Sequence, residues 1–294
     1  MATTSIYKTP EGRAEILKLY DDSLNQLGLS FDDRLVNTRF GATHVLMSGP
    51  TWGLPLVITH GGNSINPQGL RELLPLLRSN RYRIYAPDTI GHPGKSAEVR
   101  LSSNNLSYGQ WLYDVLTELG LGRATFVGGS FGAGIILRLA AYAPERIMKA
   151  ALFVPAGIVK VPWLSMIRKI GIPYLLYLLS PTQTRLKQAV QWMGSEIDSN
   201  TLQLIESVFQ HVRVEANMPR PATREELRHF KAPALVIAGE KDAMFPGRAV
   251  AQRAKEIIPN LSFVECLKDG THYSSKAHMA YINRRLIEFI ESTP

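Results

Sequence analysis

The sequence holds a single cysteine, Cys266, in 294 residues. One thiol excludes any intrachain disulfide and removes cysteine-based zinc sites. No H-E-x-x-H segment occurs, and no His, Asp and Glu cluster has metal-ligand spacing, so no metal or organic cofactor is expected. Long runs of one charge sign are absent too. The 33 Lys+Arg against 25 Asp+Glu give a net charge of +8, but the basic residues form no long run. That pattern reads as a solvated basic surface, and nucleic acid is not an expected partner.

Long hydrophobic runs are also missing. Residues 1–13 are polar and lack the apolar stretch of a signal peptide, so a cytoplasmic protein is expected. The most apolar region, residues 161–179, is interrupted by Arg168, Lys169 and Pro173, which argues against stable membrane insertion. With 45% hydrophobic and 20% charged residues, the chain is nevertheless too apolar to stay disordered.

What is present is a regular order of short elements. Residues 11–27 carry Ile16, Leu17, Tyr20, Leu24 and Leu27 at helical spacing, ending at Gly28. Extended segments at 33–40 and 43–48 flank a turn at Gly41. Apolar runs without alternation follow at 54–59, 82–86, 125–127, 150–154, 234–238 and 261–264, as expected of strands buried on both faces. Helical patterns at 67–78, 107–119, 131–142, 247–258 and 277–291 lie between and after them. This alternation predicts an α/β fold, a mostly parallel sheet with helices on both faces. The interval 157–229 contains no convincing strand and reads as a helical insertion. The expected organisation is a core at 1–156 and 230–294, with a helical cap at 157–229.

Chemistry concentrates where strands end. The run 125–127 passes through Gly128-Gly129-Ser130-Phe131-Gly132 directly into a helical pattern, the G-x-S-x-G arrangement of a nucleophile elbow. Residues flanking such a serine must lack bulk because the turn is tight. A serine hydroxyl needs a base. Of the seven histidines, His272 lies between the last strand and the last helix, at the carboxyl edge shared with Ser130. His211 and His278 fall in helical patterns and read as structural. A carboxylate must orient the base. Asp242, just after the run 234–238, is the first candidate, ahead of Glu240 and Asp269. The order Ser130, Asp242, His272 is nucleophile, acid, base. Backbone N–H groups of Gly62, with Asn63 as an alternative, and of Phe131 are the expected oxyanion donors. His60 reads as a brace for that loop.

Gly91-His92-Pro93-Gly94-Lys95-Ser96 imitates the end of a phosphate-binding loop, but Thr89 stands where its first glycine belongs. Together with Leu56-Val57-Ile58-Thr59-His60-Gly61-Gly62, Asp88-Thr89-Ile90-Gly91, the serine elbow, Gly239-Glu240-Lys241-Asp242 and Thr271-His272, this segment resembles the α/β-hydrolase superfamily almost end to end. Within it the chain is most similar to bacterial carboxylesterase-type members with a helical cap. The resemblance implies an eight-stranded sheet and cofactor-free Ser–Asp–His hydrolysis of a small or medium apolar carboxylic ester, with water as second substrate. Hydrolysis of a C–C bond, thioester or lactone, acyl transfer, and a slow ligand-binding receptor remain the alternatives, and a homodimer stays open. Two departures stand out: Thr271 replaces the usual glycine before the histidine, and the loop after Asp88 is one residue longer, which bears on the pocket mouth. In the insertion, Trp163, Met166, Ile167, Ile170, Tyr174, Leu175 and Leu178 share one stripe, broken near 171–173. The stripe is expected to be buried, with Trp163, Met166 and Tyr174 either roofing the acyl pocket or packing only against the core.

Overall fold

All six unbroken apolar runs become parallel strands: β3 (Leu54–Thr59), β4 (Tyr82–Pro87), β5 (Ala124–Gly129), β6 (Ile147–Phe153), β7 (Ala234–Gly239) and β8 (Leu261–Leu267). A hairpin of β1 (Asp32–Thr38) and β2 (Gly41–Ser48) closes one edge, with β2 antiparallel to β4. The computed structural model describes residues 5–194 and 196–292. Its eight-stranded sheet has the order β1-β2-β4-β3-β5-β6-β7-β8.

The lack of alternation in the runs follows from cover on both faces. Successive residues point to opposite sides, and each side has its own core. Val57, Phe126, Leu152 and Val236 pack under α4 (Ser107–Glu118), α5 (Phe131–Tyr142) and α10 (Gly247–Ile257). Ile58, Val127, Ala151 and Ile237 pack under α1 (Pro10–Gln26), α2 (Asn66–Glu72), α3 (Leu74–Leu77) and α11 (Lys276–Glu291). The helix expected over 67–78 is two helices. Leu73 leaves helical geometry at φ −108°, ψ 18°, and Pro75 lacks the N–H that a continuous helix would use.

Between β6 and β7 the described residues form helices and loops only. α6 (Trp163–Met166) runs through a π-helical turn (Ile167–Gly171) into α7 (Ile172–Leu179), followed by α8 (Gln183–Val190) and α9 (Ser199–His211). The break expected near 171–173 is therefore a π-turn that absorbs Pro173 without ending the helix. α9 packs on α1, and Tyr7 bridges to Val212, which ties the N-terminal segment to this layer.

The expected burial of the stripe does not hold. Tyr177 is buried and Met166, Ile170 and Tyr174 are half-buried, but Trp163, Ile167, Leu175 and Leu178 are exposed. The helix turns Met166 and Ile170 onto the core and sets Tyr174 and Tyr177 against Phe209, at ring separations of 4.6 and 5.8 Å. The remaining apolar residues of the stripe face outward.

Candidate active site

β5 delivers Ser130 at the carboxyl edge of the sheet, at φ 51°, ψ −119°. This left-handed conformation in a non-glycine residue is a local strain. It persists because the flanks admit no side chain. A Cβ at Gly132 would lie 2.2 Å from the Thr59 carbonyl oxygen, and one at Gly128 would lie 2.6 Å from Ile136 and Thr59 side-chain atoms. The Ser130 N–H donates to the Phe153 carbonyl at 3.1 Å, and its own carbonyl accepts from Gly134 and Ala156. The turn is thus pinned to β6 through its backbone, which leaves the hydroxyl for His272.

The Ser130 Oγ lies 3.1 Å from His272 Nε2, and His272 Nδ1 lies 2.9 Å from Asp242 Oδ2. Asp242 is 4% exposed. Its Oδ1 accepts from the N–H groups of Met244 and Phe245 at 2.8 and 3.0 Å, leaving Oδ2 for the imidazole. Nδ1–H then donates to Asp242, and Nε2 is left to accept the serine proton. Trp192 and Phe245 flank the ring at 5.6 and 5.7 Å. The rivals are occupied elsewhere at the surface: Glu240 pairs with Arg248 and Asp269 with Lys241. Thr271 donates its hydroxyl to the Tyr273 carbonyl, a local turn that fits a threonine in place of glycine.

Behind Ser130, Gly62 packs against Phe131; a Cβ on Gly62 would come within 3.2 Å of that side chain. Asn63 does not present a free N–H, because it donates to His92 Nδ1 at 3.0 Å. Its side chain clamps Glu215 through both amide atoms, at 2.8 and 2.7 Å. His92 was not evident as a site residue from the sequence. Burial, with His60 and Arg100 nearby, pushes it down to about 3, so it is a neutral acceptor. His60 braces the same loop, donating from Nδ1 to Gly61 and accepting at Nε2 from the Thr89 N–H. The longer loop after Asp88 folds onto buried Asp88, which accepts from Tyr20, Asn66 and the Lys95 N–H. Contrary to the expectation from its length, it does not line the cavity; it reaches the site through His92.

A cavity of ≈ 150 Å³ opens beside Ser130 and His272. Phe153, Val154, Met193, Leu204, Ile205 and Met279 form its apolar wall. None of Trp163, Met166 and Tyr174 lines it: α9 and Met193, just after α8, supply the roof. The opposite wall is polar. Gln68 donates to Tyr273 and Thr201 at 2.9 and 3.1 Å, and Arg71 holds Asp198 and Thr201. Glu72 stands in this wall, and its enclosure pushes the carboxyl up to about 7 despite Arg71, Gln68 and His272 beside it. No signal in the sequence marks Glu72, because its position depends on three separate segments meeting. Among the described residues no group of three His, Cys, Asp or Glu side chains is arranged to hold a metal ion.

The profile of the α/β-hydrolase fold family matches residues 55–199. The chain has the α/β-hydrolase fold. It is 26% identical to an uncharacterized carboxylesterase, nap, of Bacillus subtilis, covering 99% of this chain and 97% of that protein. Similarity to carboxylesterase YbfK of the same organism is also 26%, covering 95% of each. The crystal structure of the B. subtilis naproxen esterase superposes with a TM-score of 0.82 at 25% identity, over 97% of this chain and all of that one. This hydrolase therefore shares its fold, over nearly its whole length, with proteins named as esterases.

Proposed function

We propose that this hydrolase is a serine carboxylesterase acting on esters with a short to medium apolar acyl group. The observation that carries the reading is the hydrogen-bonded chain from Ser130 through His272 to buried Asp242. His272 Nε2 takes the proton of Ser130 as Oγ attacks the ester carbonyl. The N–H groups of Gly62 and Phe131 receive the oxyanion, with the start of α5 adding its dipole. The imidazolium then protonates the leaving alcohol and the ester C–O bond breaks, leaving an acyl group on Ser130. Water attacks next, giving its proton to His272, and the acid departs as Ser130 regains its hydrogen. Asp242 orients His272 and stabilises its charged form throughout. The small apolar wall formed by Phe153, Val154, Leu204 and Ile205 suits the acyl group. His92 acts through Asn63 as a positioning residue for the Gly62 loop.

A panel of p-nitrophenyl esters of rising acyl length tests the reading. Acetate to hexanoate esters should turn over with an initial burst, and Ser130→Ala should lower kcat about a millionfold without loss of fold. A fluorophosphonate should label Ser130 alone. Labelling at Ser96 or Ser274, with Ser130→Ala still active, overturns the assignment.

A further inference from the structure

Twelve large apolar side chains are exposed among the described residues, and eight of them lie in the single helix Trp163–Leu179. Scattered exposed leucines need no explanation, but a contiguous face of this kind does. Trp163 and Leu164 are each 66% exposed at one end and Leu179 is 72% exposed at the other, with Ile167, Leu175 and Leu176 between. The inner residues of the same helix already pack on the core and on Phe209, so the outer face is surplus to the fold.

The charge around this face is one-sided. Residues 157–194 contain Lys160, Arg168, Lys169, Arg185 and Lys187 and no Asp or Glu. Lys160, Arg168, Lys169 and Lys187 are exposed, and Arg168 and Lys169 sit within the helix itself. An apolar helix face carrying a tryptophan, with cations on the same element and no Asp or Glu within residues 157–194, has the chemistry of a segment lying in a lipid–water interface. A second copy of this chain fits worse, because a twofold contact through this face would bring two sets of five like charges together. No helix among the described residues is long and apolar enough to cross a membrane. The helix would therefore lie on a bilayer without spanning it.

The face also adjoins the active site. A groove of ≈ 870 Å³ is lined by Leu164, Arg168, Lys169 and Pro173 on one side and by Trp192 and Thr271 on the other. The next residues along both segments, Met193 and His272, line the cavity at Ser130. We propose that the outer face of α6–α7 docks the enzyme on an anionic lipid surface, setting this groove against the bilayer. The inference does not depend on the esterase reading, since it is tested by binding.

Sedimentation with vesicles of equal parts phosphatidylglycerol and phosphatidylcholine, against pure phosphatidylcholine, tests it. The wild type should sediment with the anionic vesicles and be released by high salt. Arg168→Gln/Lys169→Gln should lower the partition coefficient about 30-fold, from roughly one interfacial charge interaction per residue. Leu175→Glu/Leu179→Glu should abolish sedimentation while keeping the melting temperature and the hydrolysis of soluble p-nitrophenyl acetate. Trp163→Phe should remove the vesicle-induced blue shift in tryptophan fluorescence. Wild-type protein that ignores anionic vesicles, or variants that bind as well as it does, overturn the proposal. A dimer that Leu175→Glu/Leu179→Glu dissociates, with no vesicle binding, assigns the face to a second copy and overturns it equally.

Discussion

Asp242 shows how a carboxylate is selected by its surroundings. Of the three acidic candidates that follow β7 and β8, one has its oxygens divided between two backbone N–H groups and an imidazole. Glu240 and Asp269 instead face solvent beside Arg248 and Lys241, where an ion pair is worth little. Asp242→Asn should therefore lower kcat about 10⁴-fold, because the amide disfavours the tautomer that leaves Nε2 free. Glu240→Gln and Asp269→Asn should stay within a few-fold of wild type. Steady-state kinetics on one aryl ester decide this, and a loss confined to Glu240→Gln would transfer the role. The residue types of Ser130, Asp242 and His272 were readable because each lies in the turn or loop that follows a strand. His92 and Glu72 were not, since the segment 91–96 marks no role for His92, nothing marks Glu72, and each acquires its surroundings from distant segments.

The helices between β6 and β7 show what periodicity leaves open at the level of elements. An apolar stripe says that a face is available, not which layer it meets. The π-turn at 167–171 and the contact of Tyr174 and Tyr177 with Phe209 set the rotation of α6–α7, and α9 with Met193 reaches the cavity in their place. Met193→Ala and Ile205→Ala should accordingly shift preference toward longer acyl esters, by several-fold in kcat/KM ratio. Met166→Ala and Tyr174→Ala should leave that ratio unchanged; a shift in either would return the roof to α6–α7. A second element-level dependence joins α5 to the segment that follows α9. Arg138 is fully buried, reaches Glu226 at 3.4 Å, and has two further nitrogens without a partner among the described residues. Glu226 also accepts from Arg220. Glu226→Gln should cost about 3 kcal/mol in a denaturant titration, because a buried cation loses its counter-charge. A loss below about 1 kcal/mol would mean that Arg138 is satisfied otherwise.

For the whole molecule, the enclosed Glu72 links the cavity to global stability. Its carboxyl titrates near 7 in the fold against an ordinary 4.5. Between those values the unfolded chain has released the proton and the folded chain has kept it, so stability must fall as pH rises through the window. The full effect is at most about 3 kcal/mol above pH 7. Glu72→Gln should remove it: the variant's melting temperature should gain on wild type from pH 4.5 to 7 and then run parallel. A difference that is flat with pH would show the carboxyl to be solvated. The same contrast separates what was legible from what was not. Unbroken apolar runs alternating with helical patterns determined a parallel sheet covered on both faces, and the residues directly after β5, β7 and β8 had to meet at one edge. Those are consequences of strand direction and right-handed crossovers, which local sequence specifies. The rotation of α6–α7, the clamp of His92 on Asn63, the enclosure of Glu72 and the outward apolar face depend on contacts between segments far apart in the chain. Only packing decides them, because each is a competition among faces that composition leaves equal.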